Sequence, residues 1–187
     1  MYKLSQVYLT VLVLLLSLVY VSATNATGRE SLPNYKGACY CNEVQFETKG
    51  DPLFTQICHC NKCRRTASQS NRKKDQKGCS LTAAYLYENF KIIKGQDKLD
   101  KQMSQNAFLY LCKNCYSLIY GISKDPNNQS GIGVNANNFE LNTIKPPPAF
   151  NPIRHVYYGD RVMEANDSLP KYLDFPSELG GSGKKWQ

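Results

Sequence analysis

Between Cys58 and Cys63 the chain reads Cys58-His59-Cys60-Asn61-Lys62-Cys63, and Arg64 and Arg65 follow at once. Three thiolates fill three corners of a zinc tetrahedron and leave the fourth free, the composition of an open, reactive site rather than a closed structural one. Two further pairs flank this cluster, Cys39-Tyr40-Cys41 upstream and Cys112-Lys113-Asn114-Cys115 downstream. Residues i and i+2 of a strand share a face, and a Cys-x-x-Cys turn can aim both its sulfurs at one point. These four cysteines therefore predict a closed tetrathiolate site that joins an early hairpin to a late one across about seventy residues. A site of that kind adds folding free energy directly, on the order of 10 kcal/mol in small zinc-finger peptides.

The rival use of eight cysteines is a disulfide framework, which an oxidising compartment would favour. Cysteines separated by one residue rarely pair with each other, and a framework spreads its cysteines out, so the spacing favours metal. Cys79 stands alone and fits a small buried hydrophobe or a free thiol. His59 alternates to the face opposite Cys58 and Cys60 and is expected to pack or hydrogen-bond beneath the site. His155 reads as a structural histidine on a strand. Lys62, Arg64 and Arg65 are candidate substrate contacts, their charges offsetting an anionic sulfur centre; a solvated basic turn fits the same residues.

The elements that must position these groups are short strands. Val44 and Phe46 alternate with polar neighbours, Gly50-Asp51-Pro52 turns the chain, and Phe54 to Ile57 delivers it into the central cluster. Further strands are expected over Leu81 onward, Phe90 to Gly95, Ala107 to Leu111, Leu118 to Ile122 and Ile153 to Tyr158. Pro146, Pro147, Pro148 and Pro152 exclude regular structure between residues 146 and 152, and Leu169-Pro170-Lys171-Tyr172 suggests a short helical turn. A short helical turn after Cys63 also fits; no longer segment has a helical period. The fold class expected is all-β, β-rich, in a single domain.

The chain has 187 residues, enough for one ordinary domain. Lys3, the apolar run from Val7 to Val21 and the small residues Val21-Ser22-Ala23 have the pattern of a secretory signal peptide cut after Ala23. The apolar run is shorter than the roughly 18 residues of a membrane span, which favours cleavage over an anchor. Export agrees with three sequons, at Asn25, Asn128 and Asn166. Residues 1–23 are thus read as a signal peptide, 24–34 as a linker, 35–176 as the domain and 177–187 as a flexible tail. The net charge of +8 suits an anionic small ligand or simple solubility. The one compact basic run, Arg72-Lys73-Lys74, reads as a solvated loop; no nucleic-acid partner is expected, nor a membrane after cleavage.

With these residues in view, the chain resembles the family of glutathione-dependent formaldehyde-activating enzymes, which includes centromere protein V. The resemblance runs from about residue 36 to residue 176. It rests on Gly37-Ala38-Cys39-Tyr40-Cys41, on the Cys58-to-Arg65 core, on Phe90 to Gly95 and on Leu111-Cys112-Lys113-Asn114-Cys115-Tyr116-Ser117-Leu118. Arg154-His155-Val156 and Asp167-Ser168-Leu169-Pro170-Lys171-Tyr172 complete it.

The resemblance implies several small coiled β-sheets stapled by zinc, with Cys39, Cys41, Cys112 and Cys115 on a structural ion and Cys58, Cys60 and Cys63 on a catalytic one. It implies carbon–sulfur lyase chemistry that joins glutathione to formaldehyde as S-hydroxymethylglutathione and reverses that step. Three thiolates leave a zinc ion with net negative charge, poor for activating water but suited to holding a nucleophilic substrate thiolate. Where the family commonly has Gly after each structural pair, this chain has Asn42 and Tyr116. Thr66-Ala67-Ser68-Gln69-Ser70 and Arg161-Val162-Met163-Glu164 replace a Gly-containing stretch and a Pro-Trp. The expectation is a secreted zinc-dependent lyase on a glutathione–aldehyde adduct; the alternative is a secreted zinc-stabilised binding protein of the same fold without catalysis.

Overall fold

The computed structural model describes residues 32–69, 78–104, 106–141 and 146–187. The expected signal segment, the Asn25 sequon and the basic run Arg72-Lys73-Lys74 lie outside the described residues. Among the described residues the elements in chain order are β1 (Asn34–Ala38), β2 (Gln45–Lys49), β3 (Phe54–Cys58), α1 (Asn61–Gln69), β4 (Ser80–Leu86), β5 (Phe90–Lys94), β6 (Leu99–Met103), β7 (Ala107–Cys112), β8 (Leu118–Ser123), β9 (Gly131–Asn135) and β10 (Pro152–Val156). The β-rich class expected from the short alternating strands is the class observed.

Strands β1, β2 and β5 form one antiparallel sheet; the other runs β10-β3-β4-β9-β8-β7-β6, antiparallel except where β10 lies parallel to β3. Burial follows the alternation. Ala83 and Tyr85 of β4 point inward and face Val134 and Ile132 of β9 across the ladder. Phe46, Phe139 and Phe150 fill the space between the sheets, with Phe139 edge-on to both of the other rings. The seven-stranded sheet curls so that its two edges meet. Lys62 Nζ at the start of α1 donates to Gln102 Oε1 on β6 at 2.7 Å, and Asn106 Nδ2, in the turn after β6, donates to Tyr157 Oη just past β10 at 3.1 Å.

Several elements differ from the sequence reading. The helix after the central cluster is nine residues long and already contains Cys63. Cys39 and Cys41 sit in the turn after β1 rather than in a strand. Strand β9 carries Gly131 and Gly133, which weaken a strand signal, and Gly133 lies opposite Gly121 of β8. Strand β6 is a polar edge strand, a composition that keeps edges from sticking together but hides the strand from a hydrophobic pattern. Pro152 heads β10, a position where its missing N–H does no harm. Residues 169–172 form no helical turn. They lie extended along β10, where His155 N donates to Pro170 O at 2.8 Å and Tyr172 N to His155 O at 3.0 Å. The open edge of β10 needs partners for its backbone groups, and this segment supplies them. Residues beyond it continue the layer: Leu173 N donates to Lys184 O, Trp186 N to Lys171 O, and the Trp186 ring packs against Tyr158 beneath Arg161.

Candidate metal centres

Cys39, Cys41, Cys112 and Cys115 bring all four Sγ atoms within 4.8 Å of one another. The Cys39–Cys41 separation is 3.4 Å and the Cys41–Cys112 separation 3.6 Å. Sulfurs at the corners of a zinc tetrahedron lie about 3.8 Å apart, given Zn–S bonds of about 2.3 Å, so the donor set and its spacing fit that ion.

Each half of this centre is a tight turn. Cys39 N donates to Val44 O, Asn42 N to Cys39 O, and Val44 N to Cys39 Sγ at 3.3 Å. In the second turn Cys112 N donates to Ser117 O and Tyr116 N to Cys112 O. The residue following each pair has positive φ, 62° at Asn42 and 57° at Tyr116, which is why glycine suits these places. The Ser117 hydroxyl ties the two turns together, accepting from Tyr40 N at 3.1 Å and contacting Cys115 Sγ at 3.2 Å. Gly95, itself at positive φ, lets the turn after β5 press against the backbone of Glu43 and Val44, where a side chain would collide. Burial pushes the Cys112 thiol up to about 12 and raises Cys41. At Cys115 burial acts upward too, but the hydrogen bonds from Ser117 prevail and bring the thiol to about 6. Two of the four thiols thus resist ionisation, and a bound cation would favour their thiolate forms.

The second centre is local. Cys58 ends β3, Cys60 precedes α1 and Cys63 lies in its first turn, with the three Sγ atoms again within 4.8 Å of one another. Cys60 Sγ accepts from Cys63 N at 3.4 Å, so a thiol takes the capping place usually held by Ser, Thr, Asp or Asn. The thiols of Cys58 and Cys63, with the amides of Cys63 and Lys62, hold the Cys60 thiol down at about 3. The hydrogen bond with Cys60 raises Cys58, and those with Cys58 and Cys60 raise Cys63. A bound cation would favour the thiolate form of all three. Cys58 and Cys63 are buried with Val156, and Cys60, Tyr157 and Phe175 pack around them, apart from the main core that holds the four-sulfur centre.

Next to the three sulfurs runs a polar chain that begins at two buried histidines and ends at an exposed carboxylate. His59 Nε2 and His155 Nδ1 share a hydrogen bond of 2.8 Å, and His155 Nε2 meets Asp167 Oδ2 at 2.9 Å. Lys171 Nζ closes the chain on Asp167 Oδ1 at 3.2 Å. The two imidazoles stack, with Tyr158 edge-on to both. Burial, then the charges of His155 and Arg161, lower His59 to about 4, so it is neutral at physiological pH. The histidine expected beneath the site is there, and so is its partner His155. Asp167 is the member that no residue spacing reveals, because it reaches His155 from a loop twelve residues further on.

The basic residues take three different places. Lys62 is half-buried and drawn to Gln102. Arg64 Nη2 donates to Asn61 Oδ1 at 2.6 Å, while its buried Nε has no partner among the described residues. Arg65 is exposed on α1. Tyr157, absent from the sequence reading as a site residue, packs against the cluster of Cys58, Cys63 and Val156 at φ 53°, ψ 40°, a left-handed conformation rare for a bulky residue. Burial, with the charge of Cys58 and Cys60, raises its phenol against the effect of Asn106. Its backbone outlier is the one signal that points to it, and it is invisible without coordinates.

The sequence profile of the family described as glutathione-dependent formaldehyde-activating enzyme matches residues 34–160. No curated protein matches the chain. Among solved structures, a crystal structure of a Rhodobacter sphaeroides protein is similar, with 21% identity and a TM-score of 0.44 over 56% of this chain and 87% of that one.

Proposed function

The chain belongs to the glutathione-dependent formaldehyde-activating enzyme family, and on that premise we propose that it acts as a zinc-dependent carbon–sulfur lyase on a thiol–aldehyde adduct such as S-hydroxymethylglutathione. The observation that carries this reading is the three-sulfur centre: three cysteines converge at the start of α1 with no fourth protein ligand among the described residues. Cys58, Cys60 and Cys63 are the residues that would hold the reactive zinc, and Cys39, Cys41, Cys112 and Cys115 the structural one. When bound, zinc supplies a site at which a substrate thiol is held as thiolate at neutral pH. The chain's own residues do the rest. The amides of Lys62 and Cys63 point at Cys60, and the N-terminus of α1 adds a partial positive charge beside the sulfurs. Arg64 and Arg65, on the same helix, are the proposed contacts for the carboxylates of glutathione, and Lys62 adds positive charge beside them.

The proposal includes export, supported by the apolar run from Val7 to Val21 and the small residues before Thr24. A mature N-terminus at Thr24 in protein from a secreting host is the expected result. For the activity, the test is exchange NMR on glutathione and formaldehyde with and without the protein. Faster exchange than the uncatalysed reaction is expected; no acceleration by protein carrying two zinc ions would leave the alternative, a binding protein of this fold.

A further inference from the structure

Tyr157 is held more firmly than a packing residue requires. Its backbone sits in the left-handed region at φ 53°, a conformation unfavourable for a non-glycine residue. Residues kept in such conformations cluster at functional sites. Backbone bonds keep it there: Tyr157 N donates to Asp174 O, and its neighbour Tyr158 N donates to Tyr172 O. The ring is clamped edge-on by Phe175 at 5.1 Å and packs against the small buried cluster of Cys58, Cys63 and Val156. The hydroxyl oxygen accepts from Asn106 Nδ2 at 3.1 Å, which fixes where the oxygen lies. Among the described residues its own O–H finds no acceptor, although the residue is half-buried. A fixed phenol beside three sulfurs, its oxygen satisfied and its proton uncommitted, is a donor waiting for an oxygen.

We propose that Tyr157 is a specificity-determining residue of the three-sulfur centre, donating a hydrogen bond to an oxygen carried close to the sulfur of the bound ligand. The inference rests on reading the site as one for thiol–aldehyde adducts, and it narrows the ligand class to sulfur compounds with a hydroxyl or carbonyl oxygen beside the thiol. In the adduct-forming direction the sulfur's electron pair makes the S–C bond, the C=O π pair moves onto oxygen, and water supplies the proton. Tyr157 keeps its own proton and stabilises the oxygen as charge builds on it. Asn106, which touches only Tyr157 in this scheme, is a positioning residue.

The test compares two probes on the zinc-loaded protein by calorimetry, 2-mercaptoethanol and ethanethiol, which differ by one hydroxyl. Wild type is expected to bind 2-mercaptoethanol roughly three- to tenfold more tightly, the range of one net hydrogen bond. Tyr157→Phe keeps the ring and its Phe175 contact; it should abolish that preference while leaving ethanethiol affinity and zinc content unchanged. Asn106→Ala should shrink the preference without removing it. An undiminished preference in Tyr157→Phe overturns the inference, whatever the activity of the wild type. Equal affinity of wild type for both probes overturns it too. Failure of wild type to bind either thiol overturns both this inference and the lyase reading. Binding with the expected preference but no rate acceleration overturns the lyase reading alone.

Discussion

The two cysteine centres use the same side chain and differ in how the chain brings it together. The four-sulfur centre joins turns whose cysteines stand 71 residues apart and lies inside the main core, with Cys39 and Cys112 almost fully buried. The three-sulfur centre takes all its ligands from six consecutive residues where β3 passes into α1, and its small cluster is separate from the core. A long-range crosslink removes conformational freedom from the unfolded chain; a local one constrains little. The first centre is therefore built to stabilise. On the proposed reading the second keeps a position available, with the hydrogen-bonded chain of His59, His155 and Asp167 next to it.

This contrast is easiest to break at the ligands. Cys112→Ser should cost one zinc equivalent and several kcal/mol, a large part of the stability of an ordinary domain, read as loss of the cooperative melt in circular dichroism. Cys60→Ser should also cost one zinc equivalent, but with a drop in Tm of only about 2–4 °C, corresponding to roughly 1 kcal/mol. Activity should fall to the uncatalysed rate. Equal destabilisation by the two variants would remove the division between the centres.

The chain next to the open centre should show in the pH dependence of stability. His59, buried neutral, has its value lowered to about 4 from an ordinary 6.5. The unfolded state therefore binds a proton first, and the stability His59 contributes is complete above pH 6.5 and is lost as pH falls toward 4. His59→Gln should flatten that part of the curve in thermal melts recorded from pH 7 to pH 4. Asp167 is lowered: burial pushes its carboxyl up, but His155 and Lys171 hydrogen-bond its charged form and prevail. Its contribution is present above its unfolded value near 3.9 and is lost as pH falls through its lower folded value. Asp167→Asn should therefore destabilise at pH 7 and make little difference at pH 2.

The smallest effect belongs to the turns of the closed centre. Tyr116 is half-exposed at positive φ, so Tyr116→Gly should raise stability by about 1 kcal/mol, measured by urea unfolding. A loss instead would show that the exposed ring contributes contacts that outweigh its strain.

Much of both centres is legible in residue spacing. The three clusters separate cleanly in the sequence, and Asn42 and Tyr116 stand where the turns need unusual backbone. His59 can be assigned to the inner side by alternation alone. Strands β3, β5, β7 and β8 are visible for the same reason, a hydrophobic pattern anchored at one end by a turn or a cysteine. Strands β6 and β9 are not, because one is a polar edge and the other is rich in glycine. The helical turn read at Leu169 fails because local sequence carries no information about the open edge of β10 beside it.

By itself the sequence determined which atoms could hold metal, since ligand identity and local spacing are properties of the chain. It also determined the β-rich class, which follows from alternation and turn residues. Only the tertiary structure decided what surrounds those atoms. His155 and Asp167 come to His59 from β10 and the loop beyond it, and Asn106 crosses from the opposite edge of a curled sheet to fix Tyr157. Sheet curl and strand order set those meetings, and both depend on the packing of the whole core rather than on any one stretch of residues.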